Sequence, residues 1–194
     1  MAILKVSRLW MIDNSINWAI NHLEQLGLSP AHKLELARMY TIPQWIAPAM
    51  RSLILSPLSE ISDSNAHQLG LRVYAIIAKA HEVMEQERRT LAAVPPGLSL
   101  PPCPSCTVAQ HVQCKDAWAR FWWQKVARQL LHPITPLSLS AVVEYVASQP
   151  HIVGLNEQCK EEIIGQVVES GGLNVEEEII GGAVGAVQQY YNTL

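Results

Sequence analysis

The sequence is poor in charge, in cysteine and in phenylalanine: 16% of its 194 residues are charged, four are Cys and one is Phe. Each scarcity excludes something. Low charge beside 49% hydrophobic content excludes a solvated, disordered chain. A net charge of −3, with no acidic or basic tail, argues against a broad electrostatic footprint for nucleic acid. No apolar run reaches bilayer length, since the glycine-softened IIGGAVGAV (179–187) is too short to span one. The opening MAILKVSRLWMID interrupts its apolar residues with Lys5, Arg8 and Asp13, which a signal peptide core does not tolerate. The expected setting is therefore intracellular, cytoplasmic or nuclear, where clustered cysteines bind metal more often than they form disulfides. Nucleophile elbow, phosphate-binding glycine loop and H-E-x-x-H motif are all missing.

What is present is helical periodicity, and it predicts an all-α, irregular multi-helix bundle. NSINWAINHLEQLG (14–27) aligns Ile16, Ile20, Leu23 and Leu26, with Asp13 as a cap and Gly27 as its end. Ser29 and Pro30 open the next helix as N-cap and first helical residue. Pro43 restarts a helix that Pro48 disturbs unless it lies close to the beginning. Gly70 divides a short capped helix from a long one over 71–91. The proline-rich AAVPPGLSLPPCPSC (92–106) then marks the main boundary. The expected organisation is an N-terminal helical subdomain (1–91), a Pro/Cys-rich metal-binding loop (92–114) and a C-terminal helical subdomain (115–194) packed on the first.

Within that last part, helical period returns over 115–132 and stops at HPITP; a short helix follows in LSLSAVVEYVAS. Two more lie in NEQCKEEIIGQVVES and NVEEEIIGGAVGAVQQYYN, divided by Gly171 and Gly172. Glu176, Glu177 and Glu178 sit in a first turn that favours negative charge. Gly181 and Gly185 have the spacing of close helix packing, and Tyr190 and Tyr191 are placed to dock the last helix.

Chemistry concentrates in PPCPSCTVAQHVQC (101–114). Cys103, Cys106, His111 and Cys114 form C-x2-C-x4-H-x2-C, three thiolates and an imidazole of the kind a tetrahedral structural zinc takes. His132 or His81 replaces His111 if the loop folds back on its flanking helices. Free surface thiols, or a Cys103–Cys106 pair formed on oxidation, are the plainer readings, and Cys159 reads as a small buried core residue. The spacing falls two residues short of a zinc knuckle, so nucleic-acid binding by that analogy is weak. PCPSC also fits half of the zinc deaminase signature, with His22-Leu23-Glu24 as the H-x-E half. Its strand-containing core has no counterpart in the periodicity. His81, Glu82 and Glu85 read as exposed polar neighbours.

Trp118, Trp122 and Trp123 cluster on the helix after the loop. They read mainly as core, and otherwise, with His132, as a pocket or partner surface. Lys115, Arg120, Lys125 and Arg128 decorate the same helix and suit either solvent or an acidic partner.

Three stretches, LW (9–10), KLELARMYTIPQWIAPA (33–49) and LGLRVYAIIAKA (69–80), resemble the helical region that follows the BTB/POZ domain in basidiomycete fungal proteins. The cysteine loop followed by AWARFWWQKVARQLLHP (117–133) resembles the continuation in some of them, so the likeness covers roughly residues 4–133. The BTB/POZ domain would precede residue 1 and is absent, which implies a fragment or a gene that kept the tail. BTB/POZ proteins are commonly dimerising adaptors or transcriptional regulators. The resemblance thus implies a protein-interaction or adaptor/regulatory module, here with a structural zinc site and another protein as partner. The alternative is an enzyme or small-molecule binder on the same scaffold, with an apolar Trp-lined pocket and His22, His81 or His132 as acid or base.

Overall fold

The computed structural model describes residues 13–97, 102–169 and 174–193, and every regular element among them is helical, as the periodicity predicts. Helix α1 spans Asp13–Gln25, so Asp13 is its first helical residue, and the chain leaves it through Gly27 at φ 63°. Helix α2, Pro30–Tyr40, starts as expected: the Ser29 hydroxyl accepts the His32 N–H, and Pro30 occupies a position where a missing N–H costs nothing. A single 3-10 turn, Pro43–Trp45, leads into α3, Ile46–Leu55, so Pro48 falls in a first turn that tolerates it. Helix α4 runs from Asp63 to Ala93 and breaks its helical geometry at Gly70, at φ 73° and ψ 158°. The division read at Gly70 is therefore a kink. The pair LW at 9 and 10 and the glycines at 171 and 172 lie outside the described residues.

Two compact units emerge, one from residues up to Ala80 together with Ile180 onward, the other from His81 to Ile179. In the first, Leu34, Leu36, Met50 and Ile77 are buried around Trp45, whose indole N–H donates to Glu24 at 2.8 Å. Tyr191 donates its hydroxyl to the Leu34 carbonyl, and the Arg72 guanidinium lies 5.1 Å from the centre of the Tyr190 ring. Both tyrosines thus dock the last helix in this unit.

The second unit contains α5 (Val108–Phe121), a π-helical turn (Trp122–Val126), α6 (Ala127–Leu130), α7 (Val142–Ala147), α8 (Glu157–Glu169) and the first turn of α9 (Val175–Asn192). The boundary read at 92–114 falls inside this unit. Prolines interrupt helices there, but Ala92 and Cys103 bury themselves in the same core as Trp118, Trp122, Val142 and Ile163. The proline-rich segment belongs to the unit that follows it.

Three local details add to this picture. Helix α5 begins at Val108, not at 115, because Thr107 and Gln110 form a reciprocal capping box. Glu176 lies in the first turn of α9, as read, and is 3% exposed; it accepts the Leu139 N–H at 3.0 Å and faces Arg88 at 3.5 Å. Gly181 and Gly185 serve no close approach among the described residues, since a Cβ at either would meet nothing within 4 Å.

Glu176→Ala strands Arg88 and the Leu139 N–H, and should cost about 3 kcal/mol in a urea unfolding titration. Gly185→Ala removes unfolded-state freedom without a clash and should raise the unfolding midpoint, by roughly 0.5–1 kcal/mol.

Candidate metal centre

The Thr107 cap sets the register of α5 so that His111, Cys114, Ala117 and Trp118 fall on its buried face, at the three- and four-residue steps of a helix. Ahead of the cap, the Cys106 N–H donates to the Cys103 carbonyl at 3.0 Å, a turn that points both thiols the same way. The third contributor is α8. Asn156 caps it by accepting the Gln158 N–H at 2.9 Å, and Cys159 lies in its first turn.

These three segments bring four sulfurs together. Cys159 Sγ lies 3.1 Å from that of Cys103 and 3.7 Å from that of Cys106, and Cys106 Sγ lies 3.9 Å from that of Cys114. Cys103, Cys106 and Cys159 form a group whose sulfurs are all within 4.8 Å of one another. Cys103, Cys114 and Cys159 are buried and Cys106 is partly exposed. Around a tetrahedral thiolate-bound zinc, neighbouring sulfurs stand about 3.8 Å apart. Two of the separations match that edge, and the Cys103–Cys159 pair would have to widen.

Polar neighbours suit thiolates, which only accept hydrogen bonds. The Ser105 hydroxyl is 3.2 Å from Cys103 Sγ, the Asn156 N–H donates to Cys114 Sγ at 3.5 Å, and His111 Nδ1 is 3.7 Å from Cys159 Sγ. The Ser105 hydrogen bond is the main reason the Cys103 thiol falls to about 7. Burial pushes the Cys106 and Cys159 thiols up. Thiols this close do not all ionise unless a cation joins them.

The structure brings the expected Cys103, Cys106 and Cys114 together, and His111 reaches the cluster through Cys159. Cys159 is buried, as read, and is also a member of the group. No local spacing announces it, because it lies 56 residues from Cys103. His132 is exposed and occupied elsewhere: its Nδ1 accepts the Ile134 and Thr135 N–H groups and holds the HPITP turn. Glu85 pairs with Arg89 one turn along α4. His22 stacks on Trp18, and Glu24 takes the Trp45 indole, so the H-x-E pair belongs to the first unit and the cysteines to the second.

Nor are the tryptophans and His132 gathered around one cavity. Trp118 and Trp122 are 1% exposed, with their indole N–H groups donated to the Pro96 and Ala92 carbonyls, whereas Trp123 is 49% exposed. The spaces beside Trp118 and Trp122 measure about 10 Å³ each, room for a water at most.

Fold and site together define an all-helical protein with a buried cysteine cluster, and among its described residues no helix is long and apolar enough to cross a membrane. No family model, curated protein or solved structure matches the chain.

In metal-free protein the Cys103 thiolate stabilises the fold fully above the ordinary thiol value of 9.0, and this contribution is lost as pH falls through about 7. Ser105→Ala should move the lowest thiolate midpoint, followed by ultraviolet absorbance, upward toward 9.0. Cys103→Ser should abolish that transition.

Proposed function

We propose that the chain is a protein-interaction module of adaptor or regulatory type, with a structural zinc ion held by Cys103, Cys106, Cys114 and Cys159. The observation that carries the metal reading is the convergence of four sulfurs from three separated segments, with hydroxyl and N–H donors beside Cys103 and Cys114. Four soft donors at these separations suit a small tetrahedral cation of zinc's type. The ion would link the 103–106 turn, α5 and α8, and supply order where prolines exclude helix. His111 then serves as a hydrogen-bonding partner of the Cys159 sulfur, a role that orients a ligand and tunes its basicity.

The interaction role rests on the resemblance to the region after a BTB/POZ domain. The enzyme or small-molecule alternative has less to stand on, because Trp118 and Trp122, two of the three tryptophans expected to line a pocket, fill the core instead. Exposed Val108, Val112 and Trp123 on and just beyond α5 offer apolar surface to a partner.

Native mass spectrometry of protein purified without added metal or chelator should find one zinc per chain. Cys114→Ser and Cys159→Ser should each lose it, while His111→Ala keeps the stoichiometry and weakens affinity roughly 10-fold. The opposite pattern, with His111 indispensable and Cys159 dispensable, would instead favour Cys103, Cys106, His111 and Cys114 as the ligand set. For the interaction role, cross-linking of the tagged chain should recover a recurrent protein partner, and Trp123→Ala should lower its yield. A chain that recovers none would count against the module.

A further inference from the structure

Resting on the zinc reading, we propose that Cys106 is an oxidation site for hydroperoxides and Cys159 its resolving partner, so that oxidation expels the metal. The placement of Cys106 carries this. It is the one cysteine of the four with appreciable solvent exposure; Cys103, Cys114 and Cys159 are at most 5% exposed. Its sulfur is also within reach of resolving partners, 3.7 Å from Cys159 and 3.9 Å from Cys114. A partly exposed cysteine whose sulfur touches buried thiols is an arrangement that suits stepwise oxidation to a disulfide.

A bound zinc ion would hold Cys106 as a thiolate. The thiolate attacks one peroxide oxygen, the O–O bond breaks, and Cys106 becomes a sulfenic acid while hydroxide leaves. Cys159 thiolate then attacks the Cys106 sulfur, forming the S–S bond and releasing the second oxygen as hydroxide. The two sulfurs supply the two electrons that reduce the peroxide, and two solvent protons convert the hydroxides to water. The disulfide would leave only Cys103 and Cys114 to hold the ion, too few to retain it against solvent or a chelator. Cys159 is assigned ahead of Cys114 because its sulfur is the nearer, and a Cys106–Cys103 bond, whose sulfurs also lie within 4.8 Å, is the pairing that would overturn the assignment.

The test treats the full chain, as purified with its zinc, with hydrogen peroxide, and follows metal release with a colorimetric chelator alongside thiol loss. Zinc and a pair of thiols should disappear together, peptide mapping should find Cys106 joined to Cys159, and dithiothreitol with added zinc should restore the starting state. Dimedone present during oxidation should label Cys106 first. That arm uses the native chain and does not depend on any variant folding. Zinc retained while peroxide is consumed, or first labelling at another cysteine, would overturn this inference and leave the metal site standing. Protein that contains no zinc and takes none up would overturn both.

Discussion

Four cysteine sulfurs, from the turn before α5, from α5 itself and from the first turn of α8, stand 3.1 to 3.9 Å from their nearest neighbours. Much of the second unit is arranged around that convergence. The turn at 103–106 contains a proline, and no helix organises it. Its order comes from burial of Cys103, from the Ser105 hydroxyl 3.2 Å from the Cys103 sulfur, and from the sulfur contacts. Asn156 joins both sides of the site: its side chain caps α8, and its backbone N–H faces the Cys114 sulfur. Cys103, Cys114 and Cys159 also belong to the hydrophobic core of the unit, so short polar links and apolar packing meet at this point.

The scarcity of phenylalanine has a counterpart in the same region. Helix α4 ends at Ala93, and the carbonyls of its last turn lack intrahelical partners. Trp122 supplies an indole N–H to the Ala92 carbonyl, and Trp118 does the same for Pro96 just beyond the helix. Phenylalanine is smaller and would offer those carbonyls no donor. The tryptophans therefore act as core and as helix termination together, which explains why a group of them frames no ligand cavity. The π-helical turn beginning at Trp122 adds to this, because it shifts the helical register and leaves Trp123 facing solvent beside a buried Trp122.

Local signals in the sequence were legible wherever the physics is local. Ser29-Pro30, the break at Gly70 and the restart at Pro43 all appear where their side chains or dihedrals require them. The capping box at Thr107 and Gln110 was equally readable but was masked by the prolines before it, so the start of α5 was placed too late. Glu176 shows where local reading ends. Its position in a first turn was read correctly, yet its partners, Arg88 and Leu139, come from 88 and 37 residues away. No window of helical periodicity reaches that far.

By itself the sequence determined that the chain is helical, where several helices begin and bend, and that Cys103, Cys106 and Cys114 share one short segment. Those features follow from interactions within about four residues, which caps, glycines and prolines encode directly. Only the tertiary structure decided that Cys159 joins the cluster, that Glu176 is buried, and that the proline-rich segment belongs to the second unit. Each of these depends on which distant surfaces bury one another. Hydrophobic burial is non-directional, so it specifies partners only through the packing of the whole core.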